Sequence, residues 1–118
     1  MKIHNVLSIL LLLGVTTSFA HAEVCVVVDE ANDTLADGER KGALALARTS
    51  FESAGETITE PPCDAQYKIS NVKMGSAIII KVSGPKGNRT GKAERIENLG
   101  ASYDQLIRAL IKLSLIHI

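Results

Sequence analysis

Tyr67-Lys68-Ile69-Ser70-Asn71-Val72, then Met74-Gly75, then Ser76-Ala77-Ile78-Ile79-Ile80-Lys81-Val82-Ser83 is the stretch that decides the fold. Both runs are rich in β-branched residues, which suit a pleated, half-buried surface. The Met-Gly pair between them fits a tight turn. They read as two strands, and Ala77-Ile78-Ile79-Ile80 makes the second the clearest strand of the chain.

Downstream, Gly84-Pro85-Lys86-Gly87-Asn88 is dense turn chemistry, and Arg89 to Ile96 reads as a more polar strand at the sheet edge. Leu99, Tyr103, Leu106, Ile107, Leu110 and Ile111 then fall on one face of a helix. Upstream, Pro61-Pro62 breaks the chain, and Leu35, Ala43, Leu46, Ala47, Phe51 and Ala54 recur at helical spacing up to Gly55, a C-cap. Thr34-Leu35-Ala36-Asp37 has the spacing of a capping box. Asp29 to Asp33 is an acidic loop, and Val24 to Val28 is a continuous apolar run of the kind buried on both faces of a sheet. The order is β-α-β-β-β-α: a single small α/β (α+β) domain, with a mixed sheet and two helices on one face.

At the N-terminus, a short basic start and the apolar run Val6 to Val15 have the form of a secretory signal. The run is well short of the roughly 20 residues of a membrane-spanning helix. Ala20-His21-Ala22 supplies small residues for cleavage, so residues 1–22 are expected to be a signal peptide and Glu23 the mature start. Cys25 lacks a small-residue box directly before it, so lipid anchoring is not expected and the product is periplasmic or secreted. At the other end, residues 113–118 resemble the translation of a transposon end used in DNA library adapters. A native domain over residues 23–112, continuing past Lys112, is the expectation.

Ninety residues suffice for one small domain, of a size that gains from a covalent staple. Cys25 and Cys63 are the two cysteines, and an even count in an exported chain favours a disulfide. In a β-α-β crossover with parallel strands both would sit at the same end of the sheet. Closing that loop is worth about 4 kcal/mol in the chain-entropy treatment. Residues 23–64 carry ten acids and three bases, whereas residues 65–112 carry nine bases and three acids. Such a split predicts oppositely charged surfaces that attract within one domain.

Residues 23–112 contain no histidine, which removes Ser-His-acid and Cys-His catalysis and leaves the cysteine pair unable to complete a zinc shell. Gly87-Asn88-Arg89-Thr90-Gly91-Lys92 lacks the spacing and the Ser or Thr of a phosphate-binding loop, and reads as a hairpin turn. Asp29, Glu30, Asp33 and Asp37 do not have the alternating spacing of a calcium loop and read as a solvated loop with a helix cap. Asn32-Asp33-Thr34 and Asn88-Arg89-Thr90 fit the glycosylation sequon but serve as cap and turn residues. Lys68, Lys73, Lys81, Lys86, Arg89, Lys92 and Arg95 decorate the strands and turns. They are candidates for a basic face toward an anionic envelope polymer or an acidic partner, set against ordinary solubilising charge. Nucleic acid is not expected, with so few aromatic rings to stack on bases.

Val26-Val27-Val28-Asp29, then Cys63-Asp64-Ala65-Gln66-Tyr67-Lys68-Ile69, then Tyr103-Asp104-Gln105-Leu106-Ile107-Arg108-Ala109-Leu110 form a pattern across most of residues 24–112. It resembles small envelope domains: the N-terminal domain of the Tol translocation protein TolB, lipoprotein activators of penicillin-binding proteins, and small exported proteins of myxobacteria. The resemblance implies a non-catalytic interaction or assembly domain, without cofactor, that binds another envelope component. Two other readings stand beside it: a fragment of a larger enzyme or envelope protein, and a binder of anionic polymer.

Overall fold

In the computed structural model the backbone is described for residues 23–116 and the side chains for residues 23–112. The expected signal peptide and the last two residues of the expected adapter-derived tail lie outside the described residues. The elements are β1 (Glu23–Val28), α1 (Asp37–Ser53), β2 (Thr57–Ile58), β3 (Ala65–Met74), β4 (Ala77–Gly84), β5 (Gly87–Ala93), a 3-10 turn (Ile96–Asn98) and α2 (Leu99–Ile116). They build the expected α+β fold, a mixed five-stranded sheet in the order β2-β1-β3-β4-β5.

The hairpin that decides the fold forms β3 and β4, antiparallel from Met74↔Ala77 to Lys68↔Ser83. Gly75, at φ 65°, turns it, and Gly87, at φ 119°, opens β5 after the next turn. β1 lies parallel to β3, from Val24↔Ala65 to Val28↔Ile69, so the crossover through α1 returns the chain beside its own first strand. β2 is a two-residue strand parallel to β1, too short to be read from sequence, and gives the sheet a fifth strand. β5 ends at Ala93, earlier than expected, because the chain turns into the 3-10 segment at Ile96.

α1 and α2 pack side by side on one face of the sheet. Alternation along the strands sends Val24, Val26, Tyr67, Ile69, Ile78, Ile80 and Val82 inward, all fully buried. Ala43 and Ala47 let α1 approach closely, and Phe51 meets Tyr67 at a centroid distance of 4.7 Å. α2 contributes Leu99, Tyr103, Ile107 and Leu110. A Cβ at Gly84 would fall within the Tyr67 ring, so the strand needs glycine there. Leu46, expected in the core, is 39% exposed and lies against Gly100 at the helix–helix seam.

The two helix ends of α1 differ from each other in how well their signals survive. Gly55, at φ 99°, closes it: its N–H donates to Glu52 O and that of Glu56 to Phe51 O, both at 3.0 Å. This is the paired arrangement of a Schellman end. The expected capping box does not form. The helix begins at Asp37 with Ala36 as N-cap, and Thr34 Oγ1 instead accepts from the Lys73 N–H of β3 at 2.8 Å. A strand that needed an acceptor has taken the cap hydroxyl.

Cys25 and Cys63 are disulfide-bonded, with Cα atoms 6.0 Å apart. The parallel register explains it: Cys25 is one residue past the Val24↔Ala65 pair and Cys63 two residues before it. No helix among the described residues is long and apolar enough to cross a membrane.

Candidate binding face

Because both helices lie on one side, the other side of the sheet carries no layer among the described residues. Its outward positions on the three C-terminal strands follow from the registers: Gln66, Lys68, Ser70, Val72 and Met74 on β3; Ala77, Ile79, Lys81 and Ser83 on β4; Asn88, Thr90 and Lys92 on β5. These positions hold three lysines and no acid. The side chains of Lys68 and Lys81 have no ion pair or hydrogen bond to any of the described residues, while Lys92 Nζ pairs with the exposed Glu94 at 3.3 Å. A cleft of about 360 Å³ runs between Lys68, Ser70, Lys81, Ser83 and Thr90, with Val72 and Ile79 in its wall. Asp29, whose carboxylate accepts from Asn32 Nδ2 at 2.7 Å, stands at its rim.

The seven basic residues singled out in the sequence do not share one face. Lys68, Lys81 and Lys92 do. Lys73 projects to the helix side and pairs with Glu39 of α1 at 3.3 Å. Arg89 is also on the inner side, lining a smaller cleft against α2. Lys86 occupies the β4–β5 turn, and Arg95 the segment between β5 and the 3-10 turn. The expected attraction between the acidic and basic halves is realised, among the described residues, by the Lys73–Glu39 pair alone; the other ion pairs stay within one half. Of the three lysines of the open face, Lys92 alone is ion-paired within the described residues, to Glu94.

A larger cleft, about 460 Å³, lies beside the free edge of β1 between Val26–Val28 and α1. Its charges cancel: Arg40, Lys41 and Arg48 face Glu30, Asp37 and Glu60. Arg40 is bound to Asp33 and Asp37, and Arg48 reaches Glu60 at 3.7 Å and the Val26 carbonyl at 3.4 Å. The four acids of the loop region do not act together. Asp29 is at the rim of the open face, Glu30 and Asp37 line the β1 cleft, and Asp33 is buried. No group of acids, cysteines or histidines that could hold a metal ion occurs among the described residues.

Asp33 is the residue that sequence reasoning placed wrongly, in solvent. Its side chain is fully buried. Oδ1 accepts from the Leu35 N–H at 3.0 Å and from Arg40 Nε at 3.2 Å, while Oδ2 accepts from the N–H and Nδ2 of Asn71 at 3.0 and 3.1 Å. Asn71 Oδ1 in turn accepts from the Tyr103 hydroxyl at 2.6 Å. The network ties the loop, α1, β3 and α2 together; every polar atom in it is matched, which marks it as a structural device. Burial raises the Tyr103 phenol well above its ordinary value, with the Asp33 charge adding to the effect. Burial likewise pushes Tyr67 up to about 12, with Glu56 contributing.

No protein-family model and no curated protein matches the chain. Among solved structures it is similar to a PelC dodecamer from Paraburkholderia phytofirmans, at 13% identity over 76% of this chain and 88% of that one, with a TM-score of 0.51. The likeness is one of fold. PelC thus supports the architecture of the domain and assigns no residue on the open face.

Proposed function

We propose that this protein is an exported, non-catalytic binding domain of the cell envelope that holds an anionic component on the open face of its sheet. The observation that carries the reading is the composition of that face: three lysines, two of them unpaired among the described residues, and no acid across β3, β4 and β5. The Cys25–Cys63 bond supports an oxidising compartment. The lack of histidine in residues 23–112 supports a binding role over catalysis.

The test is retention on immobilised dextran sulfate in a salt gradient. A face variant, Lys68→Ala with Lys81→Ala and Lys92→Ala, is compared with a control of equal charge change, Lys41→Ala with Lys86→Ala and Lys112→Ala. The face variant should elute at distinctly lower salt, since exposed charges act locally once screened beyond about 10 Å. Equal elution of the two variants would refute the reading.

A second reading, assembly of several copies, draws on the dodecameric state of PelC. The sheet offers two edges for it, β5 and the part of β1 beyond β2. Sedimentation of the mature domain decides it: a monomer at micromolar concentration excludes this reading.

A further inference from the structure

The registers do more than gather lysines on one face; they align them. Lys68 pairs with Ser83, and Lys81 is two residues from Ser83 on the same strand; Lys81 pairs with Thr90, and Lys92 is two residues from Thr90. Each step moves one strand over and two residues along, so the three lysines form a straight oblique row. Diagonal neighbours of this kind stand about 7 Å apart. The row divides the face in two. On one side lie Ser83, Asn88 and Thr90, with hydroxyl and amide groups; on the other lie the buried Ser70 and then Val72, Ala77, Ile79 and the 62% exposed Met74, mostly apolar.

From this row we infer that the open face binds a linear acidic polysaccharide running obliquely across β3, β4 and β5, its carboxylates meeting Lys68, Lys81 and Lys92 in turn. The inference rests on the anion-binding reading above and names its ligand class. A compact anion would use one or two of the lysines, whereas only an extended chain with repeating charge can engage all three. The long lysine stems let the ammonium groups follow the spacing of the acids. Ser83, Asn88 and Thr90 then donate to and accept from sugar hydroxyls on one flank, while Val72 and Ile79 meet the apolar faces of the rings on the other. The outward positions hold no aromatic ring, so nucleic-acid bases have nothing to stack on. The Lys92–Glu94 pair is exposed on both sides and worth little, so a ligand carboxylate displaces it at small cost.

Calorimetry at low ionic strength with galacturonate and trigalacturonate tests this. Trigalacturonate should bind about four- to twenty-fivefold more tightly than the monomer, because the second and third contacts are made within one chain. A permuted variant, Lys81→Ser with Ser83→Lys, keeps net charge and composition but removes the centre of the row. It should bind trigalacturonate about two- to fivefold more weakly, the loss of one exposed ion pair, while its elution from dextran sulfate stays at the wild-type salt. Lys68→Ala, at the end of the row, should show a similar loss, and both variants should melt as the wild type does. If the permuted variant binds trigalacturonate like the wild type, or the trimer binds no better than the monomer, the row is overturned while the anion-binding reading stands. Equal elution of the face and control variants from dextran sulfate would overturn both.

Discussion

Replacing Asp33 with alanine should unfold more of this protein's stability than any other single change to its polar residues. The carboxylate accepts four hydrogen bonds. Its removal strands the Leu35 N–H and both Asn71 donors in the interior, and leaves the partly buried Arg40 guanidinium without its main counter-charge. Each stranded buried donor costs roughly 1–3 kcal/mol, and breaking a buried ion pair by deleting one partner costs about 3–5 kcal/mol. These figures describe overlapping groups, so about 3–5 kcal/mol is the expected total. In a domain of this size that corresponds to a drop in melting temperature of about 15–30 °C. Asp33→Asn should fare nearly as badly, because donors face both carboxylate oxygens and an amide can present only one acceptor. Asp29→Asn, in the same loop but only partly buried and with its carboxylate bonded to Asn32 alone among the described residues, should stay within about 0.5 kcal/mol of wild type. The assay is urea unfolding followed by circular dichroism, with thermal melts alongside. If Asp33→Ala loses less than about 1 kcal/mol, below the cost of even one stranded donor, the network does not hold the elements together and the reasoning fails.

Reduction of Cys25–Cys63 should cost about 4 kcal/mol, for a loop closed over 38 residues, and lower the melting temperature by at least about 15 °C; unchanged melting with dithiothreitol would contradict this. Gly55→Ala meets no steric obstacle, yet its φ of 99° is unfavourable for a side chain, so a loss of about 1–2 kcal/mol is expected in urea unfolding. Tyr67 and Tyr103 have phenols raised above the ordinary value of 10 by burial, which favours their neutral forms in the folded state. Their contribution is therefore full below pH 10 and is lost as pH rises through the folded values, for Tyr67 about 12. Stability measured from pH 9 upward should fall above pH 10, and Tyr67→Phe should flatten that fall; an identical slope in the variant would refute the assignment.

The hairpin Tyr67–Ser83 was legible because side-chain alternation and a Gly turn are local signals, and the disulfide because an even cysteine count and a parallel crossover point the same way. β2 was not, since two residues give no period to read. Asp33 was misplaced because an acid among acids looks solvated; its partner Asn71, about 40 residues away, and Tyr103, which donates to Asn71, declare themselves only once β3 and α2 are docked. Asn71 itself carried the available signal, a polar residue in phase with Tyr67 and Ile69 on the inward side of the strand. The basic face was half legible by the same rule. Lys68 and Lys73 differ by an odd number along one strand, which puts them on opposite faces, whereas the alignment of Lys68 with Lys81 and Lys92 requires the register of both hairpins.

The central claim is that the uncovered face of the sheet, and not the larger cleft beside β1, is where this protein binds. The most direct measurement is the amide chemical-shift change of the ¹⁵N-labelled mature domain titrated with trigalacturonate at low salt. Changes concentrated at Lys68, Ser70, Lys81, Ser83, Thr90 and Lys92, with those of Arg40, Lys41 and Arg48 unmoved, are the predicted result. Changes centred on Val26–Val28 and the facing turn of α1 would contradict it.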